Sequence, residues 1–244
     1  MKGMVLAAGL GTRLRPLTND RPKALVKIAE RTLLEITLAR LREFGIHDVI
    51  VNAHHFADMI VDYLKANQNF GMHIEISREE TLLDTGGGLK QAGWFFENGS
   101  EPFILHNVDV ISTIDLNAML RAHSDGNNLA TLAVKERPSS RYLIFDKDLQ
   151  LCGRRLVKEQ KVESVRTAKQ PKDLAFAGIH VLSPRLVSMM TEDGAFSIIT
   201  SYLRLAGLGE KIAGFRADGF KWRDVGTAES LNAAAAEFGL IGQA

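Results

Sequence analysis

The first 130 residues alternate between short apolar runs and segments whose apolar residues recur with helical spacing. Met4-Val5-Leu6-Ala7 is a strand-like run, and residues 32–44 place leucines and isoleucine on one helical face. Strands that alternate with helices need crossover connections, which favour a parallel sheet covered on both faces. We therefore predict an α/β fold: a doubly wound, mostly parallel sheet flanked by helices. Further strands are predicted near 48–51, 73–76, 103–105 and 129–134, and further helices near 56–66, 86–96 and 116–123.

The pattern becomes less regular after Lys135. Residues 157–172 are too polar for a core element, so we expect an exposed loop or edge there. Ser183-Pro184 is typical of a helix start with serine at the N-cap. No Gly/Ser-rich linker divides the chain, so we expect one domain with a first half at 1–135 and a second half at 136–244. Later strands are predicted at 142–145, 149–152 and 174–182, and later helices at 196–205 and 228–238.

Composition removes several classes of protein. Thirty Lys and Arg face 29 Asp and Glu, a net charge of +1 that gives no reason to expect a nucleic-acid partner. The single cysteine, Cys152, excludes an intramolecular disulfide. No apolar stretch approaches the ~20 residues that span a bilayer. We therefore expect a cytoplasmic protein with no membrane partner.

A glycine-rich loop directly follows the first strand, where open α/β sheets place their ligands. Backbone N–H groups at glycines approach anions closely, and Arg13 and Lys23 add positive charge, a combination that suits a polyphosphate. The loop is neither of the two common phosphate loops. Leu14 occupies the third glycine position of G-x-G-x-x-G, and the chain contains no Gly-Lys-Ser/Thr.

The run LAAGLGTRLRPLT followed by RPK resembles the signature of the sugar-1-phosphate nucleotidyltransferases. The resemblance implies that the loop wraps a nucleoside triphosphate (NTP), that Arg13 holds its β- and γ-phosphates, and that Lys23 contacts phosphate near the reacting centre. It is strongest in residues 4–28, 84–90, 103–110 and 221–228. The loop residues to which it assigns nucleotide binding are Leu6, Ala7, Ala8, Gly9, Gly11 and Thr12.

Two aspartates resemble the metal ligands of that family. Asp109 follows a predicted strand, and Asp224 lies in KWRDVGT just before a predicted helix. Nucleotidyl transfer needs a divalent cation to neutralise phosphate charge, and Mg²⁺ prefers carboxylate oxygens. The resemblance therefore implies Mg²⁺ as cofactor, with Arg13, Lys23 and both aspartates as the catalytic set. Val108 departs from the family, which commonly has glycine there, so its side chain either crowds the nucleotide or enters the core.

Three further segments are similar to substrate-binding parts of the family. Thr85, Gly86 and Gly87 are implied to contact the base or ribose, and Asn107 and Gly178 the sugar. Arg141 is a candidate for the sugar phosphate, with Lys169 and Lys172 as alternatives. Glu79 and Glu80 precede the glycines, and a carboxylate there accepts hydrogen bonds from guanine or uracil alike.

The implied reaction converts an NTP and a sugar 1-phosphate into an NDP-sugar and pyrophosphate. Chain length and the Thr-Gly-Gly-Gly segment most resemble members that use UTP and N-acetylmuramate 1-phosphate. Guanylyl transfer to mannose or heptose 1-phosphate, and cytidylyl transfer, are alternatives. A non-catalytic nucleotide-sugar sensor is the alternative of another class. About twenty residues follow Asp224, so we expect a catalytic domain without a C-terminal β-helix, as a monomer or small homo-oligomer.

Overall fold

A computed structural model describes residues 1–97 and 99–239 of the chain. It confirms the predicted class: a central sheet with helices on both faces. The predicted second half extends to residue 244, so its last five residues lie outside the described part. The strands are β1 (Lys2–Leu6), β2 (Lys27–Ile28), β3 (Arg31–Thr32), β4 (Asp48–Ala53), β5 (His73–Arg78), β6 (Phe103–Asn107), β7 (Val110–Ser112), β8 (Ala130–Lys135), β9 (Arg141–Phe145), β10 (Leu151–Leu156), β11 (Lys161–Ser164), β12 (Lys172–Leu182), β13 (Ile212–Arg216) and β14 (Trp222–Asp224). The helices are α1 (Leu33–Glu43), α2 (Ala57–Ala66), α3 (Asp84–Gln91), α4 (Leu116–Asp125), α5 (Arg185–Ser188), α6 (Ile198–Gly207) and α7 (Ala228–Glu237).

The sheet is mixed, with its parallel part around β1. Strands run in the order β11-β10-β9-β12-β6-β1-β4-β5, and β8 joins β12 to β13. The pairs β6–β1, β1–β4 and β4–β5 are parallel, as is β8–β13. β12 is antiparallel to β6, β8 and β9. Since β1 lies between two parallel neighbours, the carboxyl ends of β6, β1 and β4 meet at one edge.

Alternate residues of the strands feed two cores, one on each face of the sheet. Val5 belongs to the core that includes residues of α1, α2, α4 and α7, and Met4 belongs to the core that includes residues of α3, α5 and α6. Both side chains are fully buried. This two-sided burial explains why β1 is an uninterrupted apolar run in the sequence.

The start and end of α1 follow from its capping residues. The Thr32 hydroxyl accepts a hydrogen bond from the Glu35 N–H, which satisfies one of the free donors at the helix start. Gly45 closes the helix at φ 75°, a left-handed conformation that glycine adopts without strain.

Several boundaries differ from the predicted ones. α3 starts at Asp84 and ends at Gln91 rather than spanning 86–96, and a 3₁₀ turn follows at Gly93–Phe95. Ser183 is not an N-cap, because its hydroxyl donates to the Asn128 carbonyl and α5 begins after Pro184. The polar stretch 157–172 contains the edge strand β11. None of the described helices is long and apolar enough to span a membrane.

β12 bends where it passes from one part of the sheet to another. Its first residues pair with β9 and its last residues with β6, and the register with β8 shifts between Phe176 and His180. Gly178 lies in this shift at φ 75°, where any side chain would be strained. A Cβ there would also stand 3.0 Å from the Asn107 Nδ2 atom. The bend therefore brings β12 against the end of β6.

Two of the three buried histidines among the described residues, His123 and His180, are held neutral by burial. His180 contacts the Tyr202 hydroxyl through Nδ1 at 2.7 Å, and burial lowers its pKa to about 3. His123 lies between the Thr131 and Ser183 hydroxyls, and burial lowers its pKa to about 4. Each must gain a proton on unfolding in acid, so each makes folding less favourable as the pH falls below about 6.5.

We predict that the free energy of unfolding falls between pH 7 and pH 5, by about 2 kcal/mol for each of these histidines. His180→Gln keeps a hydrogen-bonding group near Tyr202 but has no proton to gain. Chemical denaturation of this variant at both pH values should show a pH-dependent loss about 2 kcal/mol smaller than in the wild type. His47→Gln, at an exposed position, serves as control. An equal loss in wild type and His180→Gln would contradict the assignment.

Candidate active site

A cleft of about 550 Å³ opens at the edge where β1, β4 and β6 end. Its position agrees with the rule that open α/β sheets bind ligands beyond the carboxyl ends of their strands. The cleft is lined by ten residues that the sequence predicted: Leu6, Ala8, Gly9, Gly11, Thr12, Arg13, Lys23, Thr85, Asn107 and Asp109. It is also lined by residues outside that predicted set: Asn52, Glu79, Leu82, Asp84, Val108, Ala195 and Gly226.

The glycine loop has one tight position and one open position. Gly11 adopts φ 64°, and a Cβ there would stand 2.9 Å from the Thr18 Cγ2 atom and 3.0 Å from the Lys23 Cβ atom. The Thr18 hydroxyl also donates to the Gly11 carbonyl at 2.9 Å. A Cβ on Gly9 would meet nothing within 4 Å, so its backbone faces open space. The loop is thus fixed at Gly11 and accessible at Gly9.

Lys23 and Asp109 form the central ion pair of the cleft. The lysine Nζ donates to the Asp109 Oδ2 atom at 2.5 Å, and Lys23 is 8% exposed although it carries a charge. A short 3₁₀ turn at Lys23–Leu25 presents the lysine, and the end of β6 presents the aspartate. Burial of a lysine requires a partner of this kind, because an unpaired ammonium is costly to desolvate.

Asp224 and Arg13 both lie beside Gly226. A Cβ on Gly226 would lie 2.7 Å from both the Arg13 Nη2 atom and the Asp224 Oδ1 atom. Val225 N–H donates to the Asp109 carbonyl, which places the segment that carries Asp224 next to Asp109. Burial, and then the charge of Asp109, raises the pKa of Asp224. Two basic and two acidic side chains, separated by up to about two hundred residues in sequence, therefore converge here.

The two carboxylates fit a hard divalent cation. The described residues contain no group of three or more His, Cys, Asp or Glu side chains placed to hold a metal ion. Mg²⁺ commonly binds through one or two carboxylates and takes its other ligands from water and substrate phosphates. Asp224 is a half-buried carboxylate beside a second one, and such a pair is stabilised by a cation. Asp109 and Asp224 thus match that donor set.

A chain of hydrogen bonds crosses the cleft between the glycine loop and α3. Ala7 N–H donates to the Asn52 Oδ1 atom at 2.7 Å, and the Asn52 Nδ2 donates to the Glu79 Oε1 atom at 2.6 Å. Leu83 N–H donates to the Glu79 Oε2 atom at 2.9 Å. A Cβ on Gly88 would stand 2.6 Å from both Asn52 and Glu79, so only glycine leaves room for the pair. Burial raises the pKa of Glu79.

Asn52 was missed by the sequence interpretation, although a signal for it existed. The signal is a polar residue near the end of a buried strand, here β4. From the sequence we considered this signal only for the residues that end β6. Ala195 carries no such signal, because it reaches the cleft from a long segment between α5 and α6.

The glycines of α3 pack against the segment before α6. A Cβ on Gly86 would overlap the Phe196 ring, and a Cβ on Gly87 would overlap the Gly194 carbonyl. Gly86 N–H donates to the Phe196 carbonyl, and the Thr85 hydroxyl accepts from Ile198 N–H. Thr85 borders the cleft, whereas Gly86 and Gly87 do not line it. Their close packing accounts for the glycines without reference to a ligand.

Asn107 and Val108 end β6 in different ways. Asn107 borders the cleft, and its buried Oδ1 atom has no hydrogen-bond partner in the described structure. Val108 is 5% exposed and belongs to the core on the α1 face, although it also borders the cleft. Of the two orientations considered for Val108, the structure shows the one that enters the core.

The predicted phosphate ligand Arg141 does not line the cleft. It borders a second cavity, between β9, β10 and the start of α6. Another arginine, Arg137, was missed: its guanidinium stacks on the Trp222 ring at 4.3 Å and donates to the Phe176 carbonyl. Its Nε atom is buried without a partner among the described residues. Asp224 is one of the charges that face it.

A family model described as "Nucleotidyl transferase" matches residues 2–239. The N-acetylmuramate alpha-1-phosphate uridylyltransferase of Caulobacter vibrioides is 34% identical over 240 residues, covering 96% of this chain and 95% of that protein. The mannose-1-phosphate guanyltransferase 2 of Candida glabrata is 31% identical over 232 residues, covering 93% of this chain and 61% of that protein.

A solved structure shows the same fold. HddC from Yersinia pseudotuberculosis, crystallised with GMP-PN, superposes with a TM-score of 0.77 at 23% identity and covers 97% of this chain and 99% of that one. The family match extends over nearly all of the described residues and includes the glycine loop and both aspartates. The chain therefore belongs to the nucleotidyl transferase family of enzymes.

Proposed function

We propose that this enzyme transfers the uridylyl group of UTP to N-acetylmuramate 1-phosphate, giving the UDP-sugar and pyrophosphate. The observation that carries the reaction class is the convergence of Arg13, Lys23, Asp109 and Asp224 at the mouth of the glycine loop. The choice of substrates is supported by a relative of nearly equal length that carries that name.

In the proposed reaction an oxygen of the sugar phosphate attacks the α-phosphorus of UTP. The new P–O bond forms as the bond to the bridging oxygen of the β-phosphate breaks, so pyrophosphate leaves with the electron pair. The attacking phosphate is already anionic near neutral pH, so no strong general base is required. Positioning and neutralisation of charge supply the catalysis.

The residues of the cleft divide this work. Backbone N–H groups near Gly9 and the Arg13 guanidinium bind the β- and γ-phosphates, and Lys23 holds charge at the α-phosphate. Asn107, with its unpartnered Oδ1 atom, accepts a hydrogen bond from a sugar hydroxyl. Asp109 and Asp224 would hold Mg²⁺, which supplies neutralisation of the phosphate charge when bound.

In this proposal residues 1–135 supply most of the nucleotide-binding side of the cleft, and residues 136–244 supply the sugar-binding side. Because nucleoside triphosphates are cytoplasmic metabolites, the enzyme would act in the cytoplasm.

A guanylyltransferase is the second candidate. Its support is the 31% identity to a mannose-1-phosphate guanyltransferase and the likeness in fold to a protein crystallised with GMP-PN. The guanyltransferase is much longer than this chain, which covers 61% of it.

The substrates are tested by a pyrophosphate-release screen of four NTPs against N-acetylmuramate, N-acetylglucosamine, mannose and heptose 1-phosphates, with and without Mg²⁺. We expect the highest kcat/KM for UTP with N-acetylmuramate 1-phosphate, and turnover only with the cation. A preference for GTP with mannose or heptose 1-phosphate would overturn the substrate assignment and leave the reaction class intact.

The two aspartates should respond differently to neutral substitution. Asp109→Asn leaves the buried Lys23 without its partner, so its melting temperature in EDTA should fall. Asp224→Asn removes a half-buried charge beside Asp109, so its melting temperature should stay equal or rise, by about 2–4 °C per kcal/mol gained. Both variants should lose about 100-fold or more in kcat/KM with Mg²⁺. Wild-type activity in either variant would refute its role, and equal destabilisation of both would refute the charge arrangement.

Gly226 offers a test of the placement of Arg13 and Asp224, which flank it. The methyl group of Gly226→Ala would displace both side chains, and a shift of about 1 Å in such a site costs on the order of 100-fold in rate. Gly219→Ala is the matched control, because a Cβ there meets nothing within 4 Å. We expect kcat/KM to fall in the first variant alone, with circular dichroism unchanged in both. Full activity of Gly226→Ala would show that this placement of the two side chains is dispensable.

A further inference from the structure

A second cavity, of about 430 Å³, lies along two segments that also reach the cleft or a residue lining it. The segment that precedes and begins α6 borders both spaces: Ala195 lines the cleft, and Ser197 and Ile199 line the second cavity. β12 makes a second connection, because Phe176 lines the cavity and Gly178 contacts Asn107. The cavity is therefore placed to receive a part of the sugar remote from the nucleotide. Its volume lies within the range of small-molecule sites.

Its lining combines apolar walls with arginine. Phe176 and Ile199 are half-buried apolar side chains, and Tyr142 is half-buried beside them. The Tyr142 oxygen accepts a hydrogen bond from Ser139 N–H, so its own O–H remains able to donate. Arg141 projects from the same strand, β9. A surface of this kind suits an amphipathic substituent rather than a bare phosphate.

The other described charged residues that line the cavity form no ion pair with Arg141, so its guanidinium can bind a ligand. Arg154 also lines it but is committed to Glu163, with Nε 2.7 Å from Oε2. Glu159 borders it from an exposed turn and forms no ion pair with Arg141. Among the described residues, the Arg141 guanidinium has neither a hydrogen-bond acceptor nor an acidic partner within 4.0 Å.

We propose that this cavity binds a carboxylate-bearing substituent of the sugar 1-phosphate, with Arg141 as the residue that selects acidic sugars. A guanidinium donates two parallel hydrogen bonds to a carboxylate, a geometry that a neutral hydroxyl does not reproduce. The Tyr142 hydroxyl supplies a further donor. This inference rests on the proposed function, in which the sugar is N-acetylmuramate, whose lactyl ether carries a carboxylate. It also assigns Arg141 to the distal end of the sugar instead of the phosphate suggested by the sequence.

The test compares N-acetylmuramate 1-phosphate with N-acetylglucosamine 1-phosphate, two substrates that differ only in the lactyl group. With UTP, the wild type should show the higher kcat/KM for the acidic sugar. Arg141→Gln should reduce the ratio of the two kcat/KM values by about 10- to 100-fold, mainly through KM, because one charge-assisted contact is lost. Arg141→Lys should recover part of the ratio. Arg121→Gln, at an exposed position on α4, should leave the ratio at the wild-type value.

An unchanged ratio in Arg141→Gln would overturn the inference, whether both substrates lose activity equally or neither does. An equal loss of kcat/KM with both substrates would indicate that Arg141 binds the phosphate that they share. Calorimetric titration of each sugar phosphate into the protein without nucleotide measures binding of the sugar independently of turnover. Tighter binding of the acidic sugar, abolished in Arg141→Gln, would support the cavity even if no NTP were consumed. Equal affinity of the wild type for both sugars would overturn it.

Discussion

The parallel pairing of β1 with β4 and β6 is the constraint on which the rest of the molecule depends. It brings three strand ends to one edge, where Leu6, Asn52 and Asn107 stand side by side in register. β1 and β6 end at Leu6 and Asn107, and the turns that follow them carry the glycine loop and Asp109. This pairing brings the glycine loop, Asn52 and Asp109 close together, and the hydrogen bond from Ala7 N–H to Asn52 adds to it.

Opposite charges then meet where those turns come together. Near-neutral net charge over the whole chain conceals a local cluster in which Arg13 and Lys23 face Asp109 and Asp224. The basic members come from the first thirty residues, and one acidic member comes from near the end of the described chain. The two ends of the fold therefore meet here, and the short antiparallel pair β7–β14 places Asp224 near Gly226, which lines the cleft.

Much of this arrangement could be predicted from sequence, because local signals are strong in the glycine loop. Gly11 is required by its positive φ, Arg13 and Lys23 by charge, and Asp109 by its place after β6. The lining of the cleft by Ala195 and Gly226 could not be predicted, because neither carries chemistry of its own. For Arg141 the residue type alone suggested that it binds an anion. Its location could not be predicted, because that depends on where β9 pairs in the sheet.

The hydrogen-bonded chain from Ala7 through Asn52 and Glu79 to Leu83 has a thermodynamic consequence. It orders both walls of the cleft in the ligand-free protein, so the loss of conformational entropy occurs during folding and not during substrate binding. In the proposed reaction a nucleotide meets a preorganised surface, so more of its contact energy appears as affinity. Gly88 permits this preorganisation because it has no side chain. A methyl group there would separate Asn52 from Glu79, and the entropy of ordering the cleft walls would then be lost on substrate binding.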